Sequence, residues 1–443
     1  MTDNKSANQS MGWIDFINSC SSLTDFHVKL ADIFMDNSIT LSKILLDKGN
    51  WQDLQALEKK CLSKSHEVFD TRFRQETFLN SLSNAINCYS KLAQTMRMGQ
   101  WYQNISNINS SVNNYFIEPL RDTIWRTPSH QIYSDGKFSL YHYERINNFK
   151  IKTKTPLLMI YALINRHYIL DLLPNVSIIR NLLEQGVDIF STDWGTPSAY
   201  DQDLTLAHYV NNYLDNSVDH IREHTNSDKV SLFGYCWGGN LALMYAALHP
   251  EKIRNVITLA TPGDFDLDDG LLTIWTKKID PESLVDTFGN IPSFMLNTSF
   301  ALRSPIDFLH KYPHFFEKPR DIESFMEFLA TELWLYDSPP VIGEIYRQFV
   351  KDCYHKNLFI KNQMKIGDNM TVDLKNIEVP YLNIVASRDD LVSPNSSKAL
   401  NDAIGSTDKT LIEFRSGHVG ACIASEAHKE LWPKVGNWLI ARS

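Results

Sequence analysis

The hexapeptide Gly234-Tyr235-Cys236-Trp237-Gly238-Gly239 places a thiol between small residues two positions to either side. It comes directly after the apolar run Val230 to Phe233 and directly before a helical pattern that begins near Asn240. A nucleophile raised on a sharp strand-to-helix turn has this signature, because side chains at the flanking positions would block the backbone from folding back on itself. Gly234 and Gly238 mark the turn and Cys236 its apex. A thiol at a helix N-terminus feels the positive end of the helix dipole, and a neighbouring histidine further favours the thiolate that attacks carbonyl carbon. The plain alternative is a small buried hydrophobe, which most lone cysteines are. The strand-turn-helix context argues against it at Cys236. Cys20, Cys61, Cys88, Cys353 and Cys422 lack that context and are read as packing residues.

A cysteine nucleophile needs a base, and the base needs a group to orient it. After an elbow of this kind the partners follow in the order acid, then histidine, each on a loop after a late strand. The apolar run Tyr381 to Ala386 ends in Ser387-Arg388-Asp389-Asp390, and the run Thr410 to Phe414 ends in Arg415-Ser416-Gly417-His418. Of the 14 histidines, His418 alone follows the last strand candidate with a glycine beside it; His130, His208, His249 and the others read as ordinary. Either Asp389 or Asp390 can point inward from so short a loop. An oxyanion hole needs two backbone N–H groups: one from Trp237, the residue after the nucleophile, and one from the loop after the run Pro156 to Tyr161. Ile164 or Asn165 supplies the second, although Asn165-Arg166 also reads as a simple turn.

These residues must be positioned by alternating strands and helices. Strand candidates are Gln131 to Tyr133 and Phe138 to Tyr143 around an Asp135-Gly136 turn, then Pro156 to Tyr161, Val187 to Thr192, Val230 to Phe233, Val256 to Ala260, Tyr381 to Ala386 and Thr410 to Phe414. Near-continuous apolar strands separated by helical patterns specify a mostly parallel sheet with helices on both faces. With the elbow, this is an α/β-hydrolase fold. The alternation fails between Pro262 and about Leu374, where aromatics such as Trp275, Phe308, Trp334 and Phe349 accumulate. We read residues 262–374 as a cap or lid inserted in a catalytic domain of residues 117–443. Before it, residues 1–116 form an N-terminal all-helical region: Met11 to Phe116 contains no proline, and Ile14, Ile17, Leu23, Phe26 and Leu30 follow helical spacing. The boundary falls at residues 117–127.

The chain of 443 residues is 43% hydrophobic and 21% charged, the balance of a globular protein with a large core, and its net charge of -9 argues against nucleic acid as a partner. The longest apolar stretch, Pro156 to Ile164, is far short of the roughly 20 residues of a membrane span. The opening MTDNKSANQS lacks the basic-then-apolar pattern of a secretory signal, so a cytoplasmic location is expected. The six cysteines have no paired close spacing, which argues against a disulfide framework and a zinc site. No metal is expected.

Beyond these readings, the chain resembles the polyhydroxyalkanoate synthases, most closely the catalytic subunit of the two-component class III type. The resemblance rests on Tyr161 to Leu172 (YALINRHYILDL), Thr192 to Pro197 (TDWGTP), the cysteine elbow, Pro262 to Phe265, Asp286 to Pro292 (DTFGNIP), Trp334 to Lys351, Val379 to Ser397 and Gly417-His418. It implies Cys236 as nucleophile with Asp389 and His418, and 3-hydroxyacyl-CoA thioesters, 3-hydroxybutyryl-CoA above all, as substrates. Polyester is the implied product, made at a granule surface, with no cofactor besides the CoA of the substrate. A helical partner subunit is implied too; the N-terminal helical pattern must bury its apolar face against the catalytic domain, a second copy of the chain as a homodimer, or that partner. Two features depart from the family: it usually carries histidine where Asp390 stands, and its class III catalytic subunits have a shorter N-terminal region. The rival reading is a cysteine-dependent hydrolase of the dienelactone hydrolase or thioesterase type, since the former also carries a Gly-x-Cys-x-Gly-Gly elbow.

Overall fold

The structure, a computed structural model, describes residues 127–146, 149–303, 322–367 and 370–443. The helical region expected over residues 1–116 lies outside the described residues, as does all but the last residue of the expected boundary. The chain divides into two compact units, one of residues 1–98, 278–287 and 298–323, the other of residues 99–277, 288–297 and 324–443. In the first, Asp280 caps the helix Pro281–Phe288 by accepting from the Glu282 N–H at 3.1 Å and the Ser283 hydroxyl at 2.5 Å. All that follows concerns the second.

Its frame is an eight-stranded sheet of β1 Ser129–Asp135, β2 Phe138–Tyr143, β3 Leu157–Ile160, β4 Ile189–Asp193, β5 Val230–Tyr235, β6 Ile253–Leu259, β7 Tyr381–Ala386 and β8 Lys409–Phe414, in the order β1-β2-β4-β3-β5-β6-β7-β8. The β1–β2 hairpin is antiparallel and joins β4 antiparallel; β4, β3, β5, β6, β7 and β8 run parallel. β3, β5 and β7 are buried at every position, whereas edge strand β8 alternates exposed and half-buried residues. Their compositions follow from that: a strand covered on both faces is apolar throughout.

Register decides where the chemistry falls. Ile160 of β3 pairs with Gly234 of β5, Tyr235 of β5 with Leu259 of β6, Leu259 with Ile384 of β7, and Ala386 of β7 with Phe414 of β8. The loops carrying Ile164, Cys236, Asp389 and His418 therefore leave one edge of the sheet, at the carboxyl ends of neighbouring strands. The chain passes from β3 outward to β4 and then crosses to β5 on the other side, and α/β sheets bind ligands at such a reversal.

Helices α1 Ile178–Gln185, α2 Asp215–Thr225, α3 Trp237–Leu248, α6 Pro394–Ala403 and α7 Trp432–Arg442 accompany the sheet. Helix α1 is amphipathic, burying Ile178, Ile179, Leu182 and Leu183, and is capped by the Ser177 hydroxyl, which accepts from the Arg180 N–H at 2.9 Å. Helix α3 is apolar all round and buried from Trp237 to Ala247. Between β6 and β7 the chain forms helices, among them α4 Ile322–Tyr336 and α5 Gly343–Phe349, and a short ladder of Lys365–Ile366 with Met370–Thr371. Among the described residues no helix is long and apolar enough to cross a membrane.

Candidate active site

Helix α3 begins at Trp237, three residues earlier than the start near Asn240 read from the sequence. Gly238 and Gly239, poor helix formers, occupy its first turn because nothing larger fits. A Cβ on Gly238 would lie 2.2 Å from the Ile160 carbonyl oxygen, and one on Gly234 would lie 2.4 Å from the Gly239 Cα. Between them Cys236 takes φ 54° and ψ -127°, a conformation L-residues rarely adopt, and its N–H donates to the Leu259 carbonyl at 2.9 Å. Backbone strain of this kind costs about 1–3 kcal/mol and persists only where packing dictates it. Because the nearest neighbours of a Gly238 side chain are all backbone atoms, of Ile160 and Tyr161, Gly238→Ala is expected to cost at least about 1–3 kcal/mol, the usual penalty of overpacking. The urea midpoint should fall; an unchanged midpoint would contradict the packing described.

The three residues singled out as nucleophile, acid and base meet here. The Asp389 carboxylate lies 2.6 Å from His418 Nδ1, and its other oxygen accepts from the N–H groups of Leu391 at 2.9 Å and Val392 at 3.0 Å. These bonds fix the carboxylate, and the carboxylate in turn fixes the imidazole. Asp390, the rival for this place, is exposed while Asp389 is buried. The Cys236 sulfur is close enough to His418 to raise its pKa, and Cys236 is half-buried. The acid and histidine loops are stitched together by the Arg388 N–H donating to the Ser416 carbonyl at 2.9 Å and the Ser387 N–H to the Phe414 carbonyl at 2.8 Å.

Burial alone would favour the neutral imidazole, but Asp389 and then Cys236 outweigh it, and His418 is pushed up to about 10. An unfolded histidine titrates near 6.5. Since the folded value is the higher, the charged ring stabilises the fold fully below about pH 6.5, and this contribution is lost as pH rises through about 10. The unfolding midpoint is therefore expected to fall more steeply between those limits in the wild type than in His418→Gln. Equal slopes would exclude the ion pairing.

Behind the triad, the Tyr235 hydroxyl donates to the His418 carbonyl at 3.3 Å, and the two rings lie 5.1 Å apart. Burial pushes the Tyr235 hydroxyl well up, so it remains a donor. Cys422, read as a packing residue, is fully buried; Cys353 is buried as well, while Cys20, Cys61 and Cys88 lie outside the described residues.

The expected oxyanion groups sit on the two flanking turns. Trp237 is the first residue of α3, where a backbone N–H has no partner within the helix. Ile164, half-buried, and Asn165, at φ 62°, lie on the loop after β3. That loop is held from outside: the Asn165 amide donates to the carbonyls of Trp334 at 3.3 Å and Leu335 at 3.2 Å, and the Trp334 indole donates to the Arg166 carbonyl at 2.7 Å. Asp337 accepts from Arg166 at 3.3 Å and from the Tyr168 hydroxyl at 3.0 Å. A cleft lined by Tyr161, Leu163, Arg166, Trp194, Pro340 and Ile342 opens beside it. On the other flank the Trp237 ring stacks on Phe349 at 3.8 Å, and Tyr354 meets Phe265 edge-on at 4.6 Å. Sequence reading named Phe349 among the aromatics of the insertion but missed Phe265 and Tyr354; the aromatic richness near the elbow was the only available signal.

Fold and elbow together define the class, and a family model described as alpha/beta hydrolase fold matches residues 155–421. Within that class the chain is 42% identical over 317 residues to the poly(3-hydroxyalkanoate) polymerase subunit PhaC of Allochromatium vinosum, covering 71% of this chain and 89% of that one. It is 39% identical over 359 residues to the subunit of the same name from Thiocystis violacea, covering 80% and 98%. To the one from Haloferax mediterranei it is 42% identical over 325 residues, 72% of this chain but 65% of that longer relative. The chain belongs to the poly(3-hydroxyalkanoate) polymerases, acyltransferases of the α/β-hydrolase superfamily.

Proposed function

We propose that the protein polymerises 3-hydroxyacyl-CoA thioesters, 3-hydroxybutyryl-CoA among them, into polyester through a chain held as a thioester on Cys236. The observation that carries this reading is the buried Asp389–His418 pair, 2.6 Å apart, beside a thiol on the elbow. His418 takes the Cys236 proton, the sulfur attacks the thioester carbonyl carbon, and the resulting oxyanion is held by the N–H groups of Trp237 and Ile164. Collapse expels CoA as a thiolate, which takes a proton from the His418 imidazolium. The 3-hydroxyl of the next monomer then gives up its proton to His418, attacks the acyl-Cys236 carbonyl and receives the chain as an oxoester. Cys236 leaves as thiolate and reloads from the new CoA thioester.

Sulfur suits this work. A thioester passed to an alcohol becomes a more stable oxoester, whereas serine would store the chain already at that level. Water must be excluded for polymer to form instead of free acid, and the aromatic cluster of Trp237, Phe265, Phe349 and Tyr354 covers one flank of the nucleophile. The chemistry asks for no metal and no cofactor beyond the CoA of the substrate. Incubating the purified protein with 3-hydroxybutyryl-CoA should release thiol and give polymer. Thiol with free acid would make it a hydrolase, and no thiol release would make it a scaffold.

Location at the surface of polyester granules in the cytoplasm follows from an insoluble product. Residues 1–116, whose sequence has apolar residues at helical spacing, are assigned to protein contacts, with the catalytic domain, a second copy or a helical partner subunit as the surface that takes them. Their deletion is expected to alter molecular mass in solution or lengthen the polymerisation lag. A truncated protein with unchanged assembly and activity would refute that assignment.

A further inference from the structure

The triad occupies the edge where the parallel strands end. Near the start of those strands, three histidines from three elements converge. His130 on β1 and His142 on β2 are directly opposite in the antiparallel ladder, His142 is aligned with Phe190 near the start of β4, and His224 lies in the last turn of α2. One ring nitrogen from each lies within 4.8 Å of the other two. The His142 ring meets those of His130 and His224 edge-on, at 5.2 and 5.1 Å, and stacks on Phe190 at 4.2 Å.

The state of His142 makes this more than a surface cluster. Its Nε2 lies 2.9 Å from the Asp188 carboxylate, which only accepts, so the proton of the neutral ring sits on Nε2 and leaves the lone pair on Nδ1. Nδ1 is buried and has no hydrogen-bond partner. Buried polar atoms are almost always satisfied, and an orphaned one asks for an unplaced partner. A histidine whose far nitrogen donates to a carboxylate is also the arrangement that orients and strengthens a metal ligand.

We infer that His130, His142 and His224 bind a divalent transition-metal ion, zinc or a neighbour of it in the first row, with a solvent molecule in the fourth position. Three neutral imidazoles suit such ions and not calcium or magnesium, which take oxygen ligands. Metal–nitrogen bonds of about 2.0–2.1 Å require the ring nitrogens to draw closer than they stand. The exposed rings of His130 and His224 have the freedom to turn inward, while Asp188 and Phe190 hold His142 in place. Placed far from the triad in the sheet, the ion would clamp the end of α2 to the β1–β2 hairpin.

The test uses the untagged full-length protein, stripped with chelator, dialysed, and titrated with Zn²⁺ against a chromogenic competitor. One equivalent is expected. His224→Gln and His130→Gln, exposed positions that leave the fold intact, should abolish it. Asp188→Asn should weaken it by about 10–100-fold, and Cys236→Ala should leave it unchanged. Co²⁺ in place of Zn²⁺ should give visible absorption free of thiolate-to-metal bands. The proposal falls if no equivalent binds, if both histidine variants bind as the wild type does, or if the equivalent disappears with Cys236→Ala.

Discussion

Replacing Cys236 with alanine is expected to lower CoA release from 3-hydroxybutyryl-CoA by at least about 10⁴-fold, the scale on which loss of a covalent nucleophile is felt. The acyl adduct seen by intact mass on the wild type should vanish. The variant should still fold, because the strained φ of 54° at this position belongs to a turn whose backbone is packed tightly at Gly234 and Gly238, and alanine meets it no worse than cysteine does. A second readout separates chemistry from structure. Cys236 is one of the two groups that raise His418 to about 10, so Cys236→Ala should flatten the decline of stability between about pH 6.5 and 10 without removing it, since Asp389 remains. Cys236→Ser should keep the geometry and still fail to polymerise, because an oxoester on serine has no thioester driving force left to spend on chain transfer. An adduct surviving on Cys236→Ala would place the nucleophile elsewhere.

What the sequence disclosed and what it hid follow from the range of the interactions involved. Strand β7 was legible to the residue, Tyr381 to Ala386, because a strand buried on both faces is an unbroken apolar run. Strand β6 begins at Ile253 and not at Val256, since exposed Arg254 and buried Asn255 interrupt that run. Asn255 earns its burial from a C-terminal contact, its amide reaching the Arg442 carbonyl at 3.4 Å, which no local pattern contains. The start of α3 was misplaced because glycine reads as loop, whereas at Gly238 the decisive fact is the backbone of β3 pressing on it.

The family motifs were visible only as separate strings, and the structure supplies the reason they occur together. Tyr161 to Leu172 meets Trp334 to Asp337 through Asn165, Arg166 and Tyr168. Arg166 also reaches the Gly195 carbonyl at 3.1 Å and the Thr196 hydroxyl at 2.7 Å in the TDWGTP stretch. Asn290 of DTFGNIP donates to the Ser198 carbonyl at 2.7 Å. Likewise the Asn240 amide, in α3, holds the Pro262 carbonyl at 2.8 Å, and the Gly263 N–H donates to Ser396 at 3.3 Å. Each motif is one half of a contact that braces the loops around Cys236, so its chemistry is invisible until the partner is beside it. The histidines of the proposed metal site were passed over for the same reason. His130, His142 and His224 have no motif spacing and are joined only by the hairpin register and the end of α2.

Of the two adjacent aspartates, Asp389→Asn is expected to lower turnover by about 10³–10⁴-fold, while Asp390→Asn changes it by no more than a few-fold. The pair is the closest available control, because the residues share a loop, a charge and a neighbourhood and differ in direction. Asp389 is buried, bonded to His418 at 2.6 Å and to two backbone N–H groups; Asp390 is exposed. An asparagine at 389 keeps the acceptor oxygen and the shape but removes the charge. It can also present an N–H to Nδ1, which puts the ring's proton on Nε2, facing the sulfur, so that the ring can no longer accept the thiol proton. His418 should then lose the larger of its two upward influences. With burial left to favour the neutral ring, its titration should drop, and the pH dependence of stability above about pH 6.5 should shrink with it. Activity and stability are thus predicted to move together at 389 and neither to move at 390. The family's usual histidine beside the acid, restored by Asp390→His, should likewise leave turnover within a few-fold, since position 390 is exposed where Asp389 is buried. If Asp390→Asn proves the crippling change while Asp389→Asn stays active, the carboxylate that orients His418 has been assigned to the wrong residue.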